Sequence, residues 1–240
     1  MKTSNLILSL MLILGFSLKT SLAQDRQLIF GAEGAYYKPV GTLNERFKPT
    51  NGGAFYLGLQ TSEKWTWLVK GEYLKFDKIN PERLSLNRTV TVDGTDREVT
   101  FPMEKLKMRL EIAGFGLDTK YNLIRTGLFE TNVDAGFGFY RWTFHRDGLD
   151  SLSADVASNS GSKTVYYSMK KALPISQQDW SGGFNAGVEV IITPFYPVAL
   201  SFSASYKNIV GELYPSLELD MENISTFQMF DLKAGIRIKL

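Results

Sequence analysis

The chain ends with the stretch Leu232-Lys233-Ala234-Gly235-Ile236-Arg237-Ile238-Lys239-Leu240, in which apolar residues alternate with charged or small residues without a break. The stretch Val198–Tyr206 reads VALSFSASY and alternates in the same way. Successive side chains of a β-strand point to opposite faces, so each stretch predicts a strand with one apolar face and one polar or small face. This alternation decides the fold, because it recurs through the chain.

Eight segments with this period of two follow one another after the first 26 residues. We place the predicted strands at 27–37, 53–61, 65–77, 105–121, 130–145, 180–193, 197–207 and 227–240. The fourth segment loses its alternation near Gly114 and Gly116, where we expect a glycine bulge that restores the apolar face at Leu117 and Tyr121. The sequence therefore predicts an all-β chain.

The connections between the predicted strands alternate between long and short. Long loops are expected near 38–52, 78–104, 146–179 and 208–226, and the connections between them, such as Ser62–Lys64, are short. Outer-membrane barrels have this arrangement, with long loops outside the cell and short turns in the periplasm. We predict that residues 24–240 form one eight-stranded, antiparallel, up-and-down transmembrane β-barrel in the bacterial outer membrane.

The first 23 residues have the pattern of a secretory signal peptide. Lys2 precedes the apolar run Leu6–Leu18, and Ser21-Leu22-Ala23 fits the small-x-small rule for cleavage before Gln24. The apolar run is shorter than the roughly 20 residues that a spanning helix needs. We therefore expect export, with residues 1–23 removed as a signal peptide.

Composition excludes several classes of chemistry. The 240 residues contain no cysteine and one histidine, which excludes disulfide scaffolds and cysteine nucleophiles and leaves little room for multi-histidine metal sites. Without Lys2 and Lys19, the 27 basic residues become 27 − 2 = 25, equal to the 25 acidic residues. A chain without net charge lacks the basic footprint of a nucleic-acid-binding protein. We assign no catalytic, cofactor-binding or metal-ligating residue, and we expect no cofactor.

The polar faces of the predicted strands carry balanced charges among small residues. In an eight-stranded barrel the lumen has room for side chains but not for a wide water channel, so charges buried there must pair. The predicted lumen charge network consists of Glu33, Lys70, Glu72, Lys107, Arg109, Glu111, Asp134, Glu189, Lys207, Asp231, Lys233 and Arg237. The predicted lipid-facing residues are Leu57, Leu59, Trp67, Val69, Met108, Leu110, Phe137, Val188, Val190, Leu200, Phe202, Ile236 and Ile238.

A soluble lipocalin-like carrier is an alternative, because an eight-stranded soluble barrel also alternates. Such a carrier would direct its apolar face inward, around a small ligand. Aromatic residues near the predicted strand ends, such as Trp65, Tyr121 and Tyr196, favour the membrane arrangement, in which they form girdles at the two interfaces.

The signal segment, the eight alternating strands and the charged inner face resemble the OmpA/OmpX-type family of small outer-membrane barrels. The resemblance covers about residues 27–240 and is architectural, so it implies a fold and not a ligand. It implies contact with outer-membrane lipid and lipopolysaccharide, and insertion by the barrel assembly machinery. The chain departs from the family in ending with Leu240, where such barrels typically carry an aromatic residue.

Some eight-stranded barrels modify lipid A with a histidine and a serine at the outer rim. His145, at the outer end of the fifth predicted strand, could serve as the base for a loop serine. The His-x-Ser pattern of those enzymes is absent, because residue 147 is Asp. We therefore predict a non-enzymatic barrel with a structural or surface-interaction role and a charge-plugged lumen without a large pore. A lipid A deacylase-like enzyme is the alternative.

The second long loop contains a predicted β-hairpin at residues 88–101. Asp93-Gly94 lies between two alternating runs, which is typical of a tight hairpin turn. The hairpin would extend the barrel wall beyond the bilayer. Its role is either mechanical or the presentation of an edge or face to an external protein, since exposed loops carry function on rigid scaffolds.

Overall fold

The structure is a computed structural model that describes residues 26–103, 105–158, 161–215, 219 and 221–240. The predicted signal peptide lies outside these residues. No helix in the described ranges is long and apolar enough to cross a membrane. The helix α1 spans Thr42–Arg46. The strands are β1 (Gln27–Pro39), β2 (Thr50–Gln60), β3 (Trp65–Phe76), β4 (Ser85–Val92), β5 (Thr95–Pro102), β6 (Met108–Arg125), β7 (Phe129–Arg146), β8 (Leu149–Ser158), β9 (Gly161–Ala172), β10 (Ile175–Phe195), β11 (Val198–Ile209) and β12 (Phe227–Lys239).

Eight of these strands form a closed antiparallel barrel in the order β1-β12-β11-β10-β7-β6-β3-β2. The first and last strands close it, with a register that runs from Ile29 opposite Lys239 to Pro39 opposite Met229. Closure pairs every barrel strand on both sides, so the barrel has no free edge. The eight-stranded up-and-down barrel predicted from the sequence is confirmed. We call the end that carries the long connections the outer end, as in outer-membrane barrels.

The predicted bulge at Gly114 and Gly116 is wrong. The pairing of β6 with β3 runs without a shift from Trp65 opposite Tyr121 to Phe76 opposite Leu110. The register shift of β6 lies near its other end, between Asn122 and Ile124, where it pairs with β7. The alternation of β6 therefore continues through both glycines, and its even-numbered side chains from Met108 to Lys120 point into the barrel.

The interior changes character along the barrel axis, and this change explains the failed prediction. The part of the lumen toward the short turns, called here the inner part, is charged. The part toward the outer end is filled by apolar side chains. Leu110 and Ile112 of β6 are buried there together with Phe144 and Phe227. The outer loops contribute to the same core through Leu43, Phe47, Leu86, Phe101, Met103 and Leu213. This apolar cluster closes the outer mouth of the barrel.

In the described part of the chain, two β-hairpins stand at the outer end. The predicted hairpin in the second loop is present as β4 and β5, and its turn residues Asp93 and Gly94 have φ values of 52° and 78°. Positive φ at both positions is the geometry of a type I′ turn, which matches the twist of the paired strands. The second hairpin, β8 with β9, lies in the third predicted long loop, 146–179, where no strand is predicted.

Lumen glycines make room for large polar side chains. A Cβ atom at Gly136 would collide with the carboxylate of Asp118, and one at Gly31 would collide with the ring of Tyr56. These glycines therefore allow a narrow barrel to hold bulky polar groups in its centre.

Candidate functional site in the lumen and the outer loops

The outward face of the barrel is a continuous apolar belt. Phe202 is 47% exposed and Val69 is 59% exposed, and both point away from the lumen. Similar exposure is found on every barrel strand, at residues such as Phe30, Leu57, Leu117, Phe137, Val188 and Ile236. A soluble protein rarely exposes so much contiguous apolar surface, but a membrane barrel requires it. The lipocalin-like alternative does not agree with this arrangement, because the inner part of the lumen is charged.

Most residues predicted to face lipid point outward, and two do not. The outward residues are Leu57, Leu59, Trp67, Val69, Phe137, Val188, Val190, Leu200, Phe202, Ile236 and Ile238. The prediction is wrong for Met108 and Leu110, which are buried inside the outer end of the barrel. Both belong to the stretch of β6 where an apolar interior replaces the charged one.

Aromatic residues flank the belt at the short-turn end. The rings of Trp65 and Tyr121 meet edge to face with centroids 4.9 Å apart, and Phe195 and Tyr196 are exposed at the short connection between β10 and β11. Amphipathic rings favour the interface between lipid and water. Their position agrees with the interfacial girdle of a membrane barrel.

Glu189 is the hub of the first charge cluster in the lumen. Its side chain is fully buried, and its Oε1 accepts hydrogen bonds from Lys120 Nζ at 2.6 Å and from Arg237 Nη2 at 2.8 Å. Its Oε2 accepts a hydrogen bond from Asn132 Nδ2 at 3.0 Å. Two cations and one amide thus satisfy a single buried carboxylate, as burial of a charge requires.

A second cluster lies around Lys207, which is also fully buried. Its ammonium group forms an ion pair with Glu72 and lies 4.0 Å from Asp231 Oδ2. The Nζ atom also lies 5.7 Å from the ring centroid of Tyr37 and 5.4 Å from that of Tyr140. Aromatic faces attract a cation at this distance, so both rings and both carboxylates stabilise the buried ammonium group.

Further pairs extend the network around these two hubs. Lys233 Nζ donates to Asp231 Oδ2 at 2.9 Å, and Lys70 pairs with Asp118. Near the short-turn end, Lys239 Nζ donates to Glu130 Oε1 at 2.5 Å. Pairs of this kind fill the inner lumen from its centre to its periplasmic end.

Nine of the twelve residues predicted for the lumen network lie inside the barrel. They are Glu33, Lys70, Glu72, Asp134, Glu189, Lys207, Asp231, Lys233 and Arg237. The prediction is wrong for Lys107, Arg109 and Glu111. Lys107 is exposed ahead of β6, and Arg109 and Glu111 point outward, with Arg109 Nε 3.4 Å from Glu111 Oε1. The false bulge at Gly114 caused this error, because it assigned the wrong face to the outer part of β6.

Four charged residues of the network were missed in the sequence. They are Asp118, Lys120, Glu130 and Lys239. Lys239 follows Arg237 in the same alternation, and Glu130 shares the phase of Asp134, so both were readable from the pattern. Asp118 and Lys120 lie on the same face of β6 as Gly114 and Gly116. If β6 is taken as one strand without a bulge, its alternation places both charged residues in the lumen.

The lumen network leaves little free space. A cavity among Glu33, Lys70, Asp118, Lys120 and Lys233 has a volume of about 10 Å³. That volume holds roughly one water molecule. The arrangement can hold the barrel together through ion pairs, and this cavity is too small for a solute larger than water.

His145 lies at the outer rim of the barrel wall. Its Nε2 is 3.1 Å from Asp147 Oδ1, and Ser176 of β10 lies opposite it in the strand register. The described residues show no hydrogen bond between His145 and a serine hydroxyl. No group of three or more histidine, aspartate or glutamate residues in the described ranges could hold a metal ion.

The two outer hairpins pack against each other through their apolar faces. The rings of Phe101 in β5 and Tyr167 in β9 have centroids 5.7 Å apart, and Arg88 Nε donates to Tyr167 Oη at 3.4 Å. Arg97 Nη1 donates to the Ala157 carbonyl at 2.5 Å. We call this pair of packed hairpins, β4–β5 and β8–β9, the outer cap.

The exposed face of β4–β5 is polar and rich in threonine. Thr91 Oγ1 donates to Asp96 Oδ1 at 2.6 Å, and Thr100 Oγ1 donates to Asn87 Oδ1 at 2.8 Å. These cross-strand bonds order the side chains of the face. The outer cap therefore combines an apolar interior with an ordered polar surface.

No protein-family model and no curated protein matches the chain. Among solved structures, it is similar to a major outer membrane protein from Thermus thermophilus, with 10% identity over 90% of this chain and 100% of that chain and a TM-score of 0.53. Neisserial surface protein A (NspA) is 14% identical over 90% of this chain and 100% of its own, with a TM-score of 0.46. The outer membrane protease OmpT from Escherichia coli is 11% identical over 90% and 95%, with a TM-score of 0.36.

At identities this low, similarity to a solved structure indicates a shared fold and nothing about function. The similarities with TM-scores of 0.46 and 0.36 are too weak to support a conclusion even about the fold. The Thermus likeness agrees with the closed eight-stranded barrel, the apolar outer belt and the charged lumen described above. The chain is an integral protein of the bacterial outer membrane, with the fold of the small eight-stranded barrels of the OmpA/OmpX type.

Proposed function

We propose that this barrel is a non-enzymatic surface-interaction protein that presents the β4–β5 hairpin of the outer cap to an external protein. The observation that carries the proposal is the rigid cap itself. A hairpin that stood alone would be marginally stable, but Phe101 and Tyr167 pack it against a second hairpin. A mechanical loop has no need of an ordered polar face, and such a face on a rigid scaffold supports a role in recognition.

The strands of the cap offer a specific mode of binding. In the described residues, β4 and β5 form a two-stranded sheet, as do β8 and β9. Each two-stranded sheet has outer edges with unpaired backbone groups, and an extended segment of a partner can add a strand there. We expect the partner to contact the β4 side of the cap, where the threonine-rich face and a free edge lie together.

Site-specific photo-crosslinking on intact cells tests this role. A photo-reactive amino acid at Thr89, on the exposed face of β4, should give a discrete adduct with an external protein. The same residue at Thr164, on the exposed face of β9, is the matched control and should not. Adducts at neither position, or equal adducts at both, would reject the proposed interaction.

The closed lumen supports a role without transport. Ion pairs around Glu189 and Lys207 fill the inner lumen, and an apolar cluster fills the outer mouth. We propose that the barrel is an anchor for its outer loops, embedded in outer-membrane lipid and lipopolysaccharide and inserted by the barrel assembly machinery.

A lipid-modifying enzyme is the second candidate, on one observation. His145, its partner Asp147 and the opposite residue Ser176 lie together at the outer rim, next to the expected lipid headgroups. A serine nucleophile needs a base within hydrogen-bond reach, although such contacts are often longer in the absence of substrate. Mass spectrometry of lipid A after incubation with the purified protein decides between the two candidates. A loss of acyl chains that His145→Ala abolishes would favour the enzyme, and unchanged lipid A favours the anchor.

A further inference from the structure

A polar cavity of about 260 Å³ opens in the outer loops, at the end of β4 that carries Ser85. It lies between α1, the residues around the start of β4 and the connection that precedes β12. Its polar lining includes Thr42, Arg46, Arg83, Ser85 and Asn223. The volume is slightly below the range of about 300–1,000 Å³ that is typical of ligand pockets, and it suits a solute of monosaccharide size.

The buried guanidinium group of Arg46 places a positive charge at the wall of this cavity. Residues Leu43, Arg46 and Phe47 share the buried side of α1, so the packing of the two apolar residues draws the arginine inward. Arg46 is 4% exposed, and its Nη2 donates a hydrogen bond to the carbonyl oxygen of Glu222.

The guanidinium group of Arg46 has more donors than this one bond uses. An arginine carries five N–H donors, and the described residues provide Arg46 with no other hydrogen bond and no carboxylate within ion-pair distance. The carboxylates of Glu45 and Glu222 also line the cavity, but both residues are exposed to solvent.

A second buried guanidinium group, that of Arg146, acts electrostatically on Arg46. Arg146 is 1% exposed and donates to the Leu173 carbonyl at 2.8 Å. Burial, with a further contribution from the charge of Arg146, lowers the pKa of Arg46 to about 10, and the carboxylate of Glu45 opposes this shift only in part. Arg46 therefore remains charged at neutral pH in a place where its charge is unfavourable, and a bound anion would offset that cost.

We infer that this cavity binds a small solute through one oxyanion group, a phosphate, sulfate or carboxylate, which pairs with Arg46. Guanidinium groups bind such oxyanions through two parallel hydrogen bonds. Arg83 adds a second positive charge at the wall, and the hydroxyl groups of Thr42 and Ser85 and the amide of Asn223 can bind the uncharged part of the solute. The inference goes beyond the proposed role of the outer cap and does not depend on its partner.

Isothermal titration calorimetry tests the site in purified, detergent-solubilised protein that has been freed of lipopolysaccharide. The probes are inorganic phosphate, sulfate and glucuronate, with glucose as the uncharged control. At least one oxyanion should bind saturably with 1:1 stoichiometry and a Kd of about 1 mM or lower, and glucose should not. Arg46→Met should weaken binding at least about tenfold, the loss expected for a charge-assisted hydrogen bond. Arg109→Met, at an exposed arginine outside the cavity, should leave binding unchanged.

Lipopolysaccharide phosphate is a second source of the same chemistry, so the titration is repeated in nanodiscs with and without lipopolysaccharide. If the oxyanion binds equally well with and without lipopolysaccharide, the ligand of the site is a free solute. If lipopolysaccharide competes with the oxyanion, the ligand is the phosphate of the lipid.

A second variant keeps the test decisive if Arg46→Met does not fold. Ser85→Leu places an apolar side chain at an exposed position of the cavity wall, and it should also abolish binding. Saturable binding that survives in Ser85→Leu, or that Arg109→Met removes as well, would overturn the inference. So would the absence of saturable binding for every oxyanion up to about 50 mM.

Discussion

Replacement of Glu189 by glutamine tests whether ion pairs hold the barrel together. Glu189 is fully buried, and it accepts hydrogen bonds from Lys120, Arg237 and Asn132. The amide of glutamine is close to the carboxylate in size, so the change removes a charge and leaves the packing nearly intact. Lys120 and Arg237 would then share a neutral acceptor inside a closed barrel.

The magnitude follows from the number of charges that lose their partner. Breaking a buried ion pair by removing one member costs about 3–5 kcal/mol, because the other charge is left uncompensated. Glu189 has two cationic partners and glutamine retains one acceptor oxygen, so we expect a loss of about 3–5 kcal/mol and not twice that value. Urea-induced unfolding in lipid vesicles measures the loss as a shift of the midpoint at constant slope.

Asp134→Asn is the matched control in the same lumen. Asp134 is half-buried and has no ion-pair partner within 4.0 Å among the described residues, so its change should cost less than about 1 kcal/mol. The double variant Glu189→Gln/Lys120→Met should recover part of the loss, because it removes one of the two uncompensated charges. A cost for Glu189→Gln no larger than that for Asp134→Asn would refute the reasoning.

Three other predictions follow from the closed barrel and its cap. Because the barrel has no free edge, the protein should migrate faster on a denaturing gel before boiling than after it, and equal migration would contradict closure. Because the lumen is filled, planar bilayers should show no stable single-channel conductance, and steady steps of porin size would contradict the plugged lumen. Phe101→Ala should destabilise the outer cap locally by about 3–5 kcal/mol, seen as faster amide exchange in β4 and β5 with unchanged exchange in β12.

The strands of the barrel could be predicted because lipid and lumen impose opposite demands on successive residues. In Val198–Tyr206 of β11 and Leu232–Lys239 of β12 the alternation is complete, and the predicted bounds of 197–207 and 227–240 differ from the structure by no more than two residues. A shift of one residue would exchange the two faces, so the pattern is strongly constrained wherever both environments are present.

The same pattern was misleading where the environment changes along a strand. At the outer end of β6 the interior is apolar, because loop residues such as Phe101 and Met103 fill the mouth of the barrel. Leu110 therefore points inward and Arg109 outward, although the local alternation is as regular as in β12. The alternation of the sequence with a period of two separates the two faces of a strand, but it does not show which face points into the barrel.

The other failures are non-local. The hairpin of β8 and β9 escaped prediction because its apolar face packs against a remote part of the chain, as the contact of Tyr167 with Phe101 of β5 shows. Arg46 had no sequence signal at all, since its burial depends on loops that precede β4 and β12. Sequence periodicity thus identifies the barrel, and only tertiary structure reveals the cavity.

Lipid-phase labelling of adjacent residues on β11 tests the central claim most directly. Phe202 is 47% exposed on the outward face, and Ser201 is 1% exposed inside the barrel. The chain contains no cysteine, so a single cysteine can be placed at either position without a background signal. A membrane-soluble maleimide should label Phe202→Cys in folded protein and leave Ser201→Cys unlabelled until the barrel is unfolded. Labelling of Ser201→Cys with protection of Phe202→Cys would mean that the apolar face is interior, and it would contradict a membrane barrel.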